Sequence, residues 1–204
     1  MTIPEMLDAN DLNPPSILKD IQEATVSIGF TMGSDLLTGS LLRTLVATKP
    51  AGTFLELGTG TGLGTAWILD GMDAQSQLIT VDRNEHTSAA ARRLLKLDAR
   101  VHFLTMDGIK YIASIRESGI TFDLIFADMQ PGKFAYLDET LESLKVGGIY
   151  MVDDLLPLPS WEEQHAARVV NLIRALEQRQ DLRITKLNWS TGLLIAIKTH
   201  SFAG

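Results

Sequence analysis

Thr53-Phe54-Leu55-Glu56-Leu57-Gly58-Thr59-Gly60-Thr61-Gly62-Leu63-Gly64-Thr65-Ala66-Trp67-Ile68-Leu69 is the stretch on which the fold turns. It opens as a short apolar run, Thr53 to Leu57, which reads as a buried strand. Four glycines at alternate positions follow, and the chain then enters a helical pattern at Ala66-Trp67-Ile68-Leu69. Glycine permits a left-handed turn and lets a ligand approach the backbone with no Cβ in the way. A strand, a glycine turn and a helix N-terminus in that order suit a nucleotide-like ligand at the C-terminal end of a parallel strand. The plainer reading is a tight turn that only packs a helix on a sheet.

The spacing excludes two ligands. A dinucleotide fingerprint needs G-x-G-x-x-G, and here its last glycine would fall on Leu63 or on Thr65. A Walker P-loop needs Gly-Lys-Ser/Thr, and the stretch has no lysine. What is present is Glu-x-Gly-x-Gly-x-Gly, with Glu56 two residues before Gly58. This resembles motif I of the class I S-adenosylmethionine-dependent methyltransferases. The resemblance implies S-adenosylmethionine as cofactor, held by Glu56, Gly58, Thr59, Gly60 and Gly62.

The chain has 204 residues, enough for one three-layer core, so residues 1–204 read as a single domain. Residues 1–50 read as an N-terminal arm with helices, and residues 51–198 as a Rossmann-like core. The apolar runs are too short to span a bilayer, and Met1 to Glu5 lacks the start of a signal peptide. There is no cysteine, which removes thiolate and zinc-thiolate chemistry and makes a cytoplasmic location the expectation. A net charge of −7 without a basic cluster argues against a nucleic-acid partner.

Along the chain, Ser16 is placed to cap a helix from Ile17 to about Gly29, and Ser34 or Asp35 a second helix ending before Pro50. These two helices either cover a ligand cleft or simply pack on the sheet. After the glycine turn, Gln77 to Asp82 reads as a second strand ending in an acid, twenty-six residues beyond Glu56. A carboxylate at that tip can accept from both ribose hydroxyls of a nucleoside. A helix at 86–97, a strand at 100–104 and the turn Met106-Asp107-Gly108 come next. Asp107 either accepts from an adenine amino group or caps the helix 109–116, and Gly108 is grouped with it at the cofactor. A fourth strand, Phe122 to Asp128, leads to a helix at 134–144, a Gly147-Gly148 turn and a fifth strand, Ile149 to Val152, ending at Asp153-Asp154. Ser160 and Glu163 form a capping-box pattern before the last long helix. Leu182–Leu187 and Leu193–Ile197 read as an antiparallel pair. The expected fold is therefore α/β: a doubly wound, mostly parallel seven-stranded sheet with N-terminal helices and a C-terminal antiparallel pair. The class I methyltransferase fold has this arrangement, and the resemblance covers about residues 30–198.

Six acids fall at strand tips, the edge along which open α/β sheets bind ligands: Glu56, Asp82, Asp107, Asp128, Asp153 and Asp154. The first three belong to the nucleoside half. The last three converge near the switch point and repel one another unless protonated, hydrogen-bonded or bound to a cation. This pattern is similar to the metal-dependent O-methyltransferases of the catechol and caffeoyl-CoA type. The resemblance implies Mg²⁺ or another divalent ion on Asp128, Asp153 and Asp154, with Asp128 also beside the cofactor. It further implies a small hydroxylated acceptor and a homodimer. The sequence departs from that family at two places. Asp154 stands where an Asn is usual, and Pro131 where the family often has a lysine acting on the substrate hydroxyl. The nearest lysine is Lys133, so Asp128 and Lys133 are the candidate catalytic pair, with His165 as another candidate base and Trp161 as a pocket residue.

The expected activity is methyl transfer from the sulfonium to a hydroxyl oxygen, for which the protein mainly supplies alignment. A metal-independent small-molecule methyltransferase and a non-catalytic cofactor-binding protein of the same fold stand as alternatives. A base N-methyltransferase would carry Asn/Asp-Pro-Pro-Tyr where this chain has Asp128-Met129-Gln130-Pro131.

Overall fold

The computed structural model describes residues 12–157 and 163–201. The chain runs α1 (Leu18–Ser27), α2 (Leu36–Ala47), β1 (Thr53–Leu57), α3 (Leu63–Gly71), β2 (Gln77–Asp82), α4 (Glu85–Leu95), β3 (Val101–Thr105), α5 (Gly108–Ser118), β4 (Phe122–Ala127), α6 (Leu137–Glu142), β5 (Leu144–Val152), α7 (Glu163–Gln178), β6 (Leu182–Leu187) and β7 (Leu193–Lys198). One seven-stranded sheet has the order β3-β2-β1-β4-β5-β7-β6. All pairs from β3 to β5 are parallel, and β7 runs antiparallel to both β5 and β6. The expected doubly wound sheet is what forms, with β7 inserted between β5 and β6.

Alternation along the central strands sorts the core into two layers. Leu55 and Leu57 of β1 and Ile125 and Ala127 of β4 face Tyr111, Ile112, Leu141, Val169, Leu172 and Leu176 of α5, α6 and α7. Phe54, Leu124 and Phe126 point the other way, against Ile21, Leu42, Val46, Trp67 and Ile68 of α1, α2 and α3. That period of two is the signature of a strand covered on both faces. The N-terminal helices thus pack on the body of the fold. Thr25 of α1 and Phe30 just after it also reach the glycine turn: the Thr25 hydroxyl donates to Thr61 Oγ1 at 2.7 Å, and Phe30 lies over Gly60.

Several boundaries differ from expectation for local reasons. Ser16 does not cap α1; Ile17 holds the cap position with no side-chain bond. Asp35 caps α2 by accepting from Thr38 N at 2.8 Å, which leaves Ser34 for another role. The expected helix at 134–144 shortens to α6, because residues 130–136 form a tight turn in which Phe134 N and Ala135 N both donate to Gln130 O. Gly147-Gly148 is not a turn between elements but an irregularity inside β5, where the register on β4 jumps from Phe122↔Leu144 to Leu124↔Ile149. The Ser160 cap and Trp161 lie outside the described residues. No helix among those described is long and apolar enough to cross a membrane.

Trp67 is 1% exposed and wedged between α3 and α2, where a Cβ on Gly39 would overlap its ring. Trp67→Ala leaves a void that this close packing cannot fill. We expect a loss of about 3–5 kcal/mol, read from the urea midpoint at unchanged m-value.

Candidate active site

β1 and β4 are hydrogen-bonded neighbours whose following segments leave to opposite sides of the sheet, so a crevice opens at their tips. Asp128 N donates to Leu57 O at 2.9 Å, and Gly58 N to Val81 O at 2.9 Å. Gly58 has φ +113, and a Cβ there would sit 2.7 Å from Asp128 O. Only glycine fits, for both backbone and contact reasons. The glycine turn then delivers the chain into α3, whose cap residue Gly62 supplies no side-chain hydrogen bond to the helix start.

Two of the nucleoside-half acids bond nearby backbone, Asp82 in the glycine turn and Asp107 at the start of α5. Asp82 Oδ2 accepts from Gly60 N at 2.8 Å, and its Oδ1 from Asn84 N at 2.8 Å. A carboxylate offers about four acceptor sites, so capacity remains for a ligand. Asp107 Oδ1 caps α5 by accepting from Ile109 N at 2.9 Å and Lys110 N at 3.3 Å, the structural half of its two readings. A Cβ on Gly108 would sit 3.0 Å from Met129 Cε and from Pro131 Cβ, so Gly108 allows the segment after β4 to close on α5.

Glu56 lies deeper than the strand-tip reading implied. It is fully buried on the α3 side, with Oε2 accepting from Thr65 Oγ1 at 2.5 Å and from Thr80 Oγ1 at 2.6 Å. Its Oε1 has no hydrogen-bond partner and sits next to Gly64. Burial pushes its carboxyl up to about 7 against two lowering hydroxyl bonds. An orphaned buried carboxylate oxygen beside a glycine cradle fits a ligand that brings its own donor.

On the other side of the switch point the structure gathers Asp128, Asp153, Asp154 and Lys133. Lys133 is 4% exposed and its Nζ donates to Asp153 O at 2.5 Å. Burial pulls its ammonium below the usual lysine range, while Asp128, Asp154 and Asp153 pull it back up. Asp128 is held well above the carboxylate range by burial and by the charges of Asp153 and Asp154. Burial likewise pushes Asp153 up to about 6. Ser34 Oγ donates to Asp128 Oδ2 at 3.2 Å. Asp153 Oδ1 accepts from Asp154 N at 2.7 Å and from Thr191 Oγ1. Asp154 has φ +60, a left-handed backbone that turns the chain away from β5.

Among the described residues, no group of three or more His, Cys, Asp or Glu side chains is arranged to hold a metal ion. Of the three expected ligands, Asp128 accepts from the Ser34 hydroxyl and Asp153 from the Thr191 hydroxyl and the Asp154 backbone. His165 packs its ring edge-on against Phe134, 5.4 Å between centroids. A cleft of about 260 Å³ lined by Lys133, Phe134, Leu137, Arg168, Asn171 and Leu172 opens alongside. Ser34 and Thr191 were not among the residues that sequence patterning assigned to the site. Ser34 reads in the sequence as a cap candidate at the start of a helix expected to cover the cleft or pack on the sheet, and Thr191 sits in a hairpin loop whose contact with β5 no local pattern announces.

Residues 55–155 match the family described as a methyltransferase domain. The chain carries a methyltransferase domain with the class I strand order. A Mycobacterium ulcerans protein with a provisional O-methyltransferase name is 23% identical over 207 residues, spanning 95% of this chain and 91% of that one. The O-methyltransferase from Bacillus cereus, solved in complex with SAH, superposes with a TM-score of 0.82 at 20% identity, covering 94% of each chain. TomG from Streptomyces achromogenes, an O-methyltransferase solved with SAM, gives 0.80 at 19% identity over 91% of this chain and 90% of that one. At these identities the two structures speak to the fold.

Glu56 yields a pH signature. Its carboxyl titrates near 4.5 when free and near 7 when folded. The native state therefore holds a proton that the unfolded chain has lost in this window. The stability it contributes is full below pH 4.5 and falls as pH rises through 7, by about 3 kcal/mol. Glu56→Gln should flatten that part of the decline, seen as a shallower slope of unfolding free energy against pH than in the wild type.

Proposed function

We propose that this protein transfers a methyl group from S-adenosylmethionine to a hydroxyl oxygen of a small molecule. The observation carrying the reading is the bond from Gly60 N to Asp82 Oδ2, which ties a glycine cradle to a carboxylate with free acceptor capacity. On this reading Gly58, Thr59, Gly60 and Gly62 form the cradle, Asp82 takes the ribose hydroxyls, Asp107 and Gly108 flank the adenine, and Glu56 Oε1 receives a donor from the ligand. The similar proteins named for O-methyl transfer support hydroxyl oxygen as the acceptor atom. The net charge of −7 supports a small molecule over a polyanion.

S-adenosylmethionine supplies an activated methyl group whose sulfur leaves with the C–S bonding pair. The acceptor oxygen forms the new O–C bond, and its proton must go elsewhere. Asp128, with its carboxyl held well above the usual range, is assigned to take that proton. The Lys133 ammonium is assigned to stabilise negative charge developing on the oxygen as the proton leaves. Holding donor and acceptor in line is the larger contribution, and it comes from the two halves of the crevice.

Calorimetric titration of S-adenosylmethionine tests the assignment. Binding by the wild type is expected, with Asp82→Ala weaker by at least about tenfold for lost charge-assisted hydrogen bonds. Asp82→Asn, which keeps an acceptor toward Gly60, separates ligand contact from collapse of the loop. No binding by folded wild type rejects the reading.

A further inference from the structure

We propose that the cleft between the 130–136 turn and α7 binds the carboxylate of a small organic acid, with Arg168 as the anchoring cation. Its walls come from two directions. On α7, Arg168, Asn171, Leu172 and Ala175 are spaced i, i+3, i+4 and i+7, so they share one face of the helix. Leu172 is buried, Arg168 half-buried and Asn171 exposed, so that face grades from an apolar floor to a polar rim. Phe134 and Leu137 line the cleft from the other side, and the space enclosed is about 260 Å³. Drug-sized ligands occupy about 300–1,000 Å³, so this cleft suits one ring or a short chain.

The cleft is rich in basic groups although the chain carries a net charge of −7. Three nitrogen-bearing side chains surround the Phe134 ring. Lys133 Nζ lies 5.2 Å and Arg168 Cζ 5.7 Å from its centroid, and the His165 ring meets it edge-on at 5.4 Å. An aromatic face attracts a cation without neutralising it. Arg43, Arg100 and Arg179, also half-buried, each pair with a carboxylate, at 3.1, 2.6 and 2.8 Å. Arg168 pairs with none among the described residues, where its one hydrogen bond runs from Nε to Gln164 O at 3.3 Å. Its two terminal nitrogens are left for a ligand. Asp138, next to Leu137, is engaged by Arg179 instead. Asn171 Oδ1 accepts from Arg174 Nη1 at 3.4 Å, which leaves the amide NH2 as a further donor at the rim. A guanidinium fork with an amide donor beside it matches a planar carboxylate.

The wall that bears Phe134 is held in place. Tyr150 of β5, fully buried, donates its hydroxyl to Gly132 O at 2.5 Å. Phe134 N and Ala135 N donate to Gln130 O at 2.8 and 3.2 Å, which closes the turn on itself. A preformed wall spares a ligand the cost of ordering it. Lys133 lines the cleft, and its ammonium donates to Asp153 O at the tip of β5, so cleft and crevice share that side chain. On the methyl-transfer reading, on which this part rests, the acid is the acceptor itself. Its carboxylate sits on Arg168, its apolar part on Leu137 and Leu172, and its hydroxyl beyond Lys133 toward Asp128.

The test needs no turnover. A ring-fluorinated hydroxyphenylacetate and its neutral twin, the corresponding hydroxyphenylacetamide, are each titrated with the full chain, and binding is read from broadening of the fluorine NMR line. The wild type should bind the acid at least about tenfold more tightly than the amide, and Arg168→Gln should abolish that preference. Equal binding of acid and amide by the wild type overturns the proposal, as does failure of both to bind. An acid preference that persists undiminished in folded Arg168→Gln overturns it too, since the anchoring cation would then lie elsewhere. If Arg168→Gln does not fold, Arg168→Met, which keeps an unbranched stem and removes the charge, is read by the same criteria. S-adenosylmethionine binding by the same wild-type sample is scored separately. Acid binding without cofactor binding rejects the methyltransferase reading and leaves the carboxylate site standing, whereas cofactor binding without an acid preference rejects the site alone.

Discussion

The last rung between β1 and β4, Asp128 N to Leu57 O at 2.9 Å, is the constraint from which the site follows. Beyond it the two chains separate, one into the glycine turn and one into the Met129–Lys133 segment. The approach is close enough that Gly58 admits no side chain against Asp128 O. Everything assigned to a ligand lies on one side of that rung or the other. Parallel pairing of two strands whose helices cover opposite faces leaves no alternative place for a crevice.

Buried charge is the second organising feature. Glu56 sits in the layer between the sheet and α3, satisfied on one oxygen by Thr65 and Thr80 and unsatisfied on the other. Lys133 sits on the far side of the switch point near Asp128 and Asp153, whose carboxyls are raised by burial and by neighbouring negative charge. Each such group costs stability unless paired. Groups with perturbed titration gathered at one crevice are a physical ground for the proposed site, since such groups cluster where ligands bring a missing partner.

The hairpin between β6 and β7 contributes more than an edge. Ser190 donates to Asp35, the cap of α2, and Thr191 donates to Asp153. Leu155 N and Leu156 N donate to Gly192 O and Thr191 O, at 3.0 and 2.8 Å. The N-terminal helices, the tip of β5 and the C-terminal hairpin are thereby joined around the acid cluster, although 155 residues separate Asp35 from Ser190.

Local patterning determined a good deal of this protein. β1, β2 and β6 begin and end where apolar alternation and turn residues place them. The glycine spacing departs from the dinucleotide and P-loop patterns, and the strand-tip acids mark the sheet edge at which the site is proposed. These features are legible because they depend on residues within a few positions of one another. Only the tertiary structure decided which way Lys133 points, that Glu56 is buried beneath the turn, that Ser34 and Thr191 reach the acids, and that α6 is short. Those outcomes rest on contacts across the sheet, from Tyr150 to Gly132 and from Thr191 to Asp153. Sequence spacing along one strand–helix unit carries no information about them. A side chain's charge can be read from its letter, but the groups that neutralise it come from whichever strands the topology brings alongside.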